Sequence, residues 1–345
     1  MYSMRDLMGF LAGGSTAAAF ILLLLPSSPS PSPCGGVPAR QELALLCANG
    51  NGTQADGHGI SNKPDTGTAD ASLADEDKLA ELLGRAAMED KTIIMTFTNE
   101  AFAAPGSLMD LFLESFHAGV KTEPLLQHLV IVAADARAFE RCRLVHPLCY
   151  LLLPTASAAD FSSEQPFMAK DYLDMMWLRN GLQARVLELG YSFIFTDVDI
   201  VWFRNPLLRV PAAADIAMSC DVFDGDNPYD LRKKANGGFL YVRSRARTAA
   251  FFRSWRGEAR AAHPGKNEQA VFDEEKREMA ARHGVTVQFV DTAYLGGFCQ
   301  PARDFHKLCT FHGNCVPGLQ RKLGHLRRVL DEWKQFRANN TDLTD

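Results

Sequence analysis

The sequence predicts an α/β protein whose mixed, mostly parallel sheet is flanked by helices and preceded by a transmembrane helix and a disordered stem. Residues 7–25 contain no charged side chain. No aromatic residue lies between Phe20 and Phe97, so the core-forming residues are concentrated in the later part of the chain. Beyond residue 90, short apolar runs alternate with longer segments of helical periodicity, which is typical of a parallel sheet covered by helices.

The amino-terminal segment predicts a membrane anchor. A helix over residues 7–25 would be roughly 28 Å long, close to the ~30 Å hydrocarbon core of a bilayer. Asp6 offsets the charge of Arg5, so the flanking charges indicate the orientation only weakly. A cleaved signal peptide is the alternative, although the apolar region of such peptides is usually shorter, about 7–15 residues. Residues 26–75 are rich in Pro, Ser, Gly, Ala, Asn and Asp, and predict a flexible lumenal stem. Residues 1–6 would be a cytoplasmic tail, and a domain at 88–340 would lie in the lumen, as in type II membrane proteins.

Charge and cysteine content bear on nucleic-acid binding, disulfide formation and zinc binding. The net charge of −5 gives no basic excess, so binding of nucleic acid is not expected. Six of the 8 cysteines lie in the globular part, and six cysteines allow about fifteen pairings, among which the sequence cannot choose. No CxxC pair is present, which favours disulfides or buried thiols over zinc. Asn51 and Asn339 begin N-glycosylation triplets, which fit a lumenal location.

The elements of the domain follow from apolar patterns. The helix predicted at 170–189 has Met176 and Trp177 on its apolar face. Trp177 and Trp202 are expected to pack in the core rather than to stack against a bound ligand. Gly190 should end this helix. Ligands in such sheets bind at the carboxyl ends of strands. Strands are predicted at 92–98, 128–134, 149–153, 191–196, 215–220, 239–243 and 286–291, and helices at 108–117 and 170–189.

The clearest chemical signal follows the strand at 191–196. Asp197 and Asp199 come directly after this apolar run, and paired carboxylates suit Mg²⁺ or Mn²⁺, which in turn hold phosphate oxygens. Two enzyme classes use such a motif: nucleotide-sugar glycosyltransferases, and haloacid-dehalogenase-type phosphatases, in which Asp197 would be the nucleophile. The phosphatase motif normally ends the first core strand, whereas earlier strands precede Asp197 here.

A set of motifs in a fixed order makes the resemblance specific. They are FTDVDIVWFRNP (195–206), CDVFDGDN (220–227), NGGFLYVRS (236–244), NEQAVF (267–272), TAYLGGFC (292–299) and HGNC (312–315). With these motifs the chain resembles, over residues 90–340, the plant nucleotide-diphospho-sugar transferase domain family, which includes xylosyl- and arabinosyltransferases of cell-wall polymers. The resemblance implies a glycosyltransferase-A fold, which is Rossmann-like. Two positions depart from the family: Glu268 stands where Asp is usual, and Val316 replaces a second cysteine.

The resemblance implies a role for each matching residue. Asp197, Asp199 and His312 would hold Mn²⁺ or Mg²⁺, and Glu268 and Gln269 are the catalytic candidates. Taken alone, Asn236-Gly237-Gly238 would be a turn ahead of a strand, and Glu268 a first-turn acid of a helix. The implied donor-binding residues are Thr98, Asn99, Asp197, Asn236, Gly237, Gly238 and Gly297.

The leading hypothesis is a Golgi glycosyltransferase. It would move a sugar, plausibly a pentose such as xylose or arabinose, from a nucleotide-diphosphate donor such as a UDP-sugar to a cell-wall glycan or glycoprotein. The resemblance implies retention of anomeric configuration. A front-face mechanism and a covalent one both remain open, because no nucleophile is evident. The non-enzymatic alternative is a Golgi scaffold that keeps the fold without turnover, for which the departures at Glu268 and Val316 are the support.

Overall fold

The computed structural model describes residues 66–152, 161–166, 168–301 and 303–340, with side chains from Asp75 onward. The anchor predicted at 7–25 and all of the predicted stem up to residue 65 lie outside these ranges. Among the described residues, no helix combines the length and apolarity needed to cross a membrane.

Strands within the described ranges form one sheet of seven and one of three. The predicted strands are all present, with ends shifted by up to four residues. The strands are β1 (Thr92–Thr98), β2 (Leu129–Ala133), β3 (Cys149–Leu151), β4 (Ser192–Thr196), β5 (Ile200–Trp202), β6 (Ile216–Cys220), β7 (Ala235–Val242), β8 (Val287–Phe289), β9 (Leu295–Gly297) and β10 (Thr310–His312).

The large sheet has the order β3-β2-β1-β4-β7-β6-β8 and is mostly parallel, as predicted. β7 runs antiparallel to both neighbours, β4 and β6. The reason is local: β6 and β7 are joined by a loop without a crossover helix, and a direct return of the chain produces an antiparallel pair. The carboxyl ends of β1 and β4 therefore meet the amino-terminal part of β7 at one edge.

The small sheet carries the last predicted metal ligand to this edge. β10 pairs antiparallel with β5, and His312 lies opposite Ile200 in the register. β10 also pairs in parallel with β9, where Gly297 lies opposite His312. Because β5 begins directly after Asp199, this pairing brings the carboxyl-terminal part of the chain to the end of β4.

Helices cover both faces of the large sheet, and the long helix ends at Glu188, ahead of Gly190, which has the left-handed φ of 86°. The α-helices in the described ranges are α1 (Thr66–Ala86), α2 (Glu100–Ala103), α3 (Leu108–Ala118), α4 (Ala136–Val145), α5 (Lys170–Glu188), α6 (Ala246–Ser254), α7 (Arg260–Ala262), α8 (Glu268–His283) and α9 (Leu319–Asn339). A π-helical turn, Trp255–Ala259, joins α6 to α7.

Each face of the large sheet has its own apolar core. Along β1, Ile93 and Met95 pack on one side and Ile94 packs on the other, so this central strand is buried on both faces. Burial on both faces explains why the strand is a continuous apolar run in the sequence. Trp177 and Trp202 are both buried in these cores, which confirms their predicted role.

Helix α1 corrects the predicted domain boundaries. It begins at Thr66, inside the segment 26–75 that was predicted to be a flexible stem. Leu79 and Leu83 are each 1% exposed and belong to the core, although they precede the predicted domain start at residue 88. The hydroxyl of Tyr150 also donates a hydrogen bond to Asp75 (2.8 Å). The prediction equated a lack of aromatic residues with a lack of core, whereas α1 packs through leucine and alanine.

Four cysteines of the domain form two disulfides, which agrees with the expectation of disulfides. Cys142 pairs with Cys149, and Cys299 pairs with Cys315. Cys220 is a buried thiol. Thus the HGNC motif keeps a disulfide through Cys315, although Val316 replaces the second cysteine of the family pattern.

Candidate active site

The two predicted metal-binding carboxylates lie in a turn between β4 and β5. Asp197 donates its backbone N–H to the carbonyl of Gly238 (2.7 Å), and the N–H of Ile200 donates to the carbonyl of Asp197 (3.1 Å). Val198 between them is 5% exposed. Val198 belongs to an apolar core, and both carboxylates line the same cavity.

His312 completes a cluster with these two carboxylates. Its Nε2 atom lies 3.2 Å from Oδ1 of Asp199 and 3.7 Å from Oδ2 of Asp197. The ligand atoms of the three residues all lie within 4.8 Å of one another. Two carboxylate oxygens and one imidazole nitrogen form a donor set that suits Mn²⁺, and its carboxylates also suit Mg²⁺.

Gly238 allows this cluster to close. A Cβ atom at Gly238 would lie 2.3 Å from Cε1 of His312 and 2.9 Å from Oδ2 of Asp197. Taken alone, Asn236-Gly237-Gly238 would form a turn ahead of a strand, but β7 begins at Ala235 and these residues belong to the strand. Gly238 is therefore required for close approach by two side chains rather than for a turn conformation.

Lys322 of α9 lies beside the cluster, with its Nζ atom 2.6 Å from Oδ2 of Asp199. Burial opposes ionisation of Asp199, but Lys322 and His312 outweigh it and hold the pKa of this carboxyl well below its usual range. Burial also opposes the charge of His312, yet Asp199 and Asp197 give its imidazole a net rise in pKa. Asp199 is thus a carboxylate held ionised by the ammonium of Lys322 and the adjacent imidazole of His312.

Arg179 of α5 joins Asp197 to Glu268. Its Nη1 atom donates to Oδ1 of Asp197 (3.0 Å), and its Nη2 atom donates to Oε1 of Glu268. The guanidinium also packs over the ring of Phe195, 4.6 Å from the centroid. Burial raises the pKa of the Asp197 carboxyl despite the opposing effect of Arg179. Among the cationic neighbours, Arg179 has the largest effect in favour of ionised Asp197.

Glu268 and Gln269 begin α8, whose amino terminus is capped by the side chain of Asn267. Gln269 accepts a hydrogen bond from the N–H of Gly237 (2.7 Å) through Oε1. The side chain of Glu268 is 6% exposed, and its Oε2 atom is buried without a hydrogen-bond partner. An unsatisfied buried carboxylate oxygen is costly, so Glu268 has capacity to accept a hydrogen bond from a ligand.

These side chains line a cavity of about 860 Å³, a size typical of sites for small molecules and cofactors. Gly297 is not among its lining residues; a Cβ there would lie 2.3 Å from Oδ1 of Asn314, which does line it. The amide of Asn99 caps α2 and donates to the carbonyl of Ser163. The predicted residues that do line the cavity are Thr98, Asn99, Asp197, Asp199, Asn236, Gly237, Gly238, Glu268, Gln269 and His312.

Sequence reasoning missed Arg179, Lys322 and Tyr172, which also line the cavity. Arg179 and Tyr172 lie within DYLDMMWLRN (171–180), where a charged residue on an otherwise apolar helix face was the available signal. Burial and the nearby carboxylate of Glu268 raise the pKa of Tyr172 to about 12. Lys322 lies in a helix rich in basic residues, so nothing in the sequence distinguished it from its neighbours.

Comparisons with known proteins identify the family of the chain. A family model for nucleotide-diphospho-sugar transferases matches residues 124–326. An uncharacterized Arabidopsis thaliana protein is 40% identical over 269 residues, which cover 77% of this chain and 70% of the relative. The Arabidopsis beta-arabinofuranosyltransferase RAY1 is 30% identical over 86 residues, which cover 24% of this chain and 16% of the relative. The solved structure of mouse xyloside xylosyltransferase 1 has 14% identity and a TM-score of 0.40, covering 66% of this chain and 99% of that one.

The matched model spans more than half of the chain and includes Asp197, Asp199 and His312. The chain therefore belongs to the nucleotide-diphospho-sugar transferase family, and this membership supports glycosyltransferase activity. β1, β2 and β3 precede Asp197, so Asp197-Val198-Asp199 does not follow the first core strand, as the corresponding motif of the phosphatase class normally does.

Proposed function

We propose that this protein is a divalent-metal-dependent glycosyltransferase that transfers a sugar from a nucleoside diphosphate, with UDP as the expected nucleotide. The observation that carries the proposal is the cluster of Asp197, Asp199 and His312 in the wall of the large cavity. A cation bound there would supply Lewis-acid stabilisation of the departing diphosphate. The closeness of His312 and Asp197 across the side-chain-free Gly238 supports the fit of these residues to a metal ion.

The protein groups around the cluster divide the remaining work. Lys322 places a positive charge next to Asp199, where it can attract diphosphate oxygens. Arg179 holds Asp197 and Glu268 in fixed positions. The Oε2 atom of Glu268, which has no hydrogen-bond partner, can accept a hydrogen bond from a hydroxyl of the donor sugar. Thr98 and Asn99 line the same cavity, where the nucleoside would bind.

The proposed transfer proceeds with retention through a front-face mechanism. The bond from the anomeric carbon to the diphosphate oxygen breaks, and a bond from that carbon to the acceptor oxygen forms on the same face. The proton of the acceptor hydroxyl passes to the departing diphosphate. Glu268 is a poor covalent nucleophile because its Oε1 atom is paired with the buried Arg179. The Oε1 atom of Gln269 already accepts a hydrogen bond from the N–H of Gly237.

The proposed donor carries a pentose such as xylose or arabinose, and the proposed acceptor is a cell-wall glycan or glycoprotein in the Golgi lumen. The family resemblance and the arabinofuranosyltransferase name of one relative support this choice. Residues 7–25 would anchor the protein as a single-pass type II membrane protein. The inactive scaffold has less support: Glu268 reaches Arg179, and Cys315 keeps its disulfide beside Val316.

A donor screen tests the proposal. The full chain should bind UDP in the presence of Mn²⁺ and slowly hydrolyse one UDP-sugar among UDP-xylose, UDP-arabinose, UDP-glucose and UDP-galactose. EDTA should abolish both signals. A scaffold would show neither, and hydrolysis of a generic aryl phosphate with trapping of phosphate on Asp197 would instead identify a phosphatase.

A further inference from the structure

Asp221 follows β6 and begins the loop that leads to β7. Its Oδ1 atom accepts hydrogen bonds from Nδ2 of Asn236 (2.8 Å) and from Nδ2 of Asn314 (2.9 Å). Both asparagines line the large cavity, whereas Asp221 is not among the lining residues. Asp221 therefore connects two residues that line the cavity without lining it itself.

The chemistry of a carboxylate fixes the orientation of both amides. An ionised carboxylate can only accept hydrogen bonds, so each asparagine must present its NH₂ group to Asp221. The oxygen atoms of both amides are consistent with this orientation. Oδ1 of Asn236 accepts a hydrogen bond from the N–H of Gly238 (2.9 Å), and Oδ1 of Asn314 accepts one from the N–H of Cys299 (3.3 Å). Each amide is thus held at both ends.

The two bridged segments are those that meet at the metal-ligand cluster. Asn236 is two residues before Gly238 in β7, and Asn314 is two residues after His312 of β10. Gly238 and His312 are in close contact, since a Cβ atom at Gly238 would lie 2.3 Å from Cε1 of His312. A bridge between their neighbours limits how far the two segments can separate.

We propose that Asp221 is a positioning residue that clamps Asn236 and Asn314 and thereby keeps His312 in place to bind a divalent cation together with Asp197 and Asp199. The identity of the cation as the metal of a glycosyltransferase rests on the proposed function. The clamp itself is a property of the protein and can be measured separately.

Three variants test whether Asp221 acts through its hydrogen bonds or through its charge. Asp221→Asn can keep an acceptor oxygen at the Oδ1 position, since one oxygen receives both amides, and it removes the charge. Asp221→Leu has a similar size and cannot accept a hydrogen bond. Asp226→Leu is the control, because Asp226 is an exposed acid in the same loop. Two measurements on the full chain are needed: hydrogen exchange of peptides covering 236–238 and 312–315, and Mn²⁺ affinity by calorimetry.

Asp221→Leu should speed exchange in both segments and weaken Mn²⁺ binding by about 10–100-fold, the usual effect of losing a group that orients a metal ligand. Asp221→Asn and Asp226→Leu should stay close to wild type in both measurements. Unchanged exchange in Asp221→Leu would overturn the clamp. Equal damage from Asp221→Asn would also overturn it, because the charge rather than the hydrogen bonds would then matter.

A further variant covers the case in which Asp221→Leu does not fold. Asn314→Ala removes one arm of the clamp, so exchange should rise at 312–315 and stay unchanged at 236–238. Equal exchange at 312–315 in this variant and wild type would overturn the clamp. If wild type binds no Mn²⁺ while the exchange results are as expected, the proposed function fails and the clamp stands.

Discussion

Gly238 and His312 are in contact at a point where no side chain larger than hydrogen fits. A Cβ atom at Gly238 would lie 2.3 Å from Cε1 of His312, far inside the ordinary contact distance. Oδ2 of Asp197 lies close to the same point, at 2.9 Å. Two of the proposed metal ligands, which come from distant parts of the chain, therefore meet over a single glycine.

Gly238→Ala should displace His312 or Asp197 and weaken Mn²⁺ binding by at least about 10-fold, an effect in the range found when metal ligands lose their orientation. Gly237→Ala is the matched control. A Cβ atom at Gly237 has its nearest neighbour at 3.5 Å, so Mn²⁺ affinity should change little. Calorimetric titration of both variants makes the comparison. Equal affinities for the two variants would show that the contact at Gly238 does not position the ligands.

Arg179 is predicted to stabilise the fold as well as the site. Arg179→Met leaves Asp197 and Glu268 without their shared buried cation, which should lower the free energy of unfolding by about 3–5 kcal/mol. Adding Glu268→Gln should recover part of the loss, because one uncompensated charge is removed. Arg137→Met, which breaks an exposed ion pair with Glu100, should have little effect. Denaturant unfolding of wild type, Arg179→Met, Glu268→Gln, the double variant and Arg137→Met completes the cycle, and additive losses in the double variant would contradict the coupling.

The Cys299–Cys315 disulfide is predicted to support metal binding. It closes a loop that contains His312, and loop closure of this length stabilises by about 3 kcal/mol. Replacing both cysteines by serine should weaken Mn²⁺ binding through greater freedom of His312. The same replacement at Cys142 and Cys149 reduces stability but leaves Mn²⁺ affinity unchanged, because that disulfide lies at α4 and β3. A loss of affinity in the second pair would argue against a local effect.

Helix α1 is predicted to be part of the folding unit. A chain that begins at Met88 lacks Leu79 and Leu83, and each buried leucine contributes about 1.5–3 kcal/mol. We expect this chain to aggregate, whereas a chain that begins at Pro64 should unfold cooperatively. Thermal unfolding and gel filtration compare the two. Cooperative unfolding of the shorter chain would restore the boundary predicted from the sequence.

The sequence predicted the large sheet well because its strands are buried on both faces and stand out as apolar runs. The sequence also indicated Asp197 and Asp199 as candidate metal ligands, because two carboxylates directly after such a run are unusual. His312 became a candidate through the family resemblance, since its pairing opposite Ile200 depends on the register of two short strands. Arg179 and Lys322 were missed because their ion pairs join residues far apart in the sequence.

The place of Asn236-Gly237-Gly238 inside a strand could not be predicted from these residues alone. Consecutive glycines after an asparagine usually indicate a turn, and the need for Gly238 becomes visible only from the packing of His312 against it. The boundary of α1 was missed for a related reason, since Leu79 and Leu83 complete a core formed mostly by later residues.

Asp199 is proposed to hold a metal ion that is required for sugar transfer. The direct measurement is the Mn²⁺-dependent turnover of the preferred UDP-sugar by wild type, Asp199→Asn and the loop control Asp226→Asn. Asp199→Asn should lose at least about 10²–10³-fold in rate, the cost of removing a positioned electrostatic group, while Asp226→Asn stays near wild type. Because Asp199 also pairs with Lys322, Asp199→Asn should lose about 1–3 kcal/mol of stability yet remain folded by circular dichroism. Near-normal, Mn²⁺-stimulated transfer by Asp199→Asn would show that Asp199 does not hold a required metal ion.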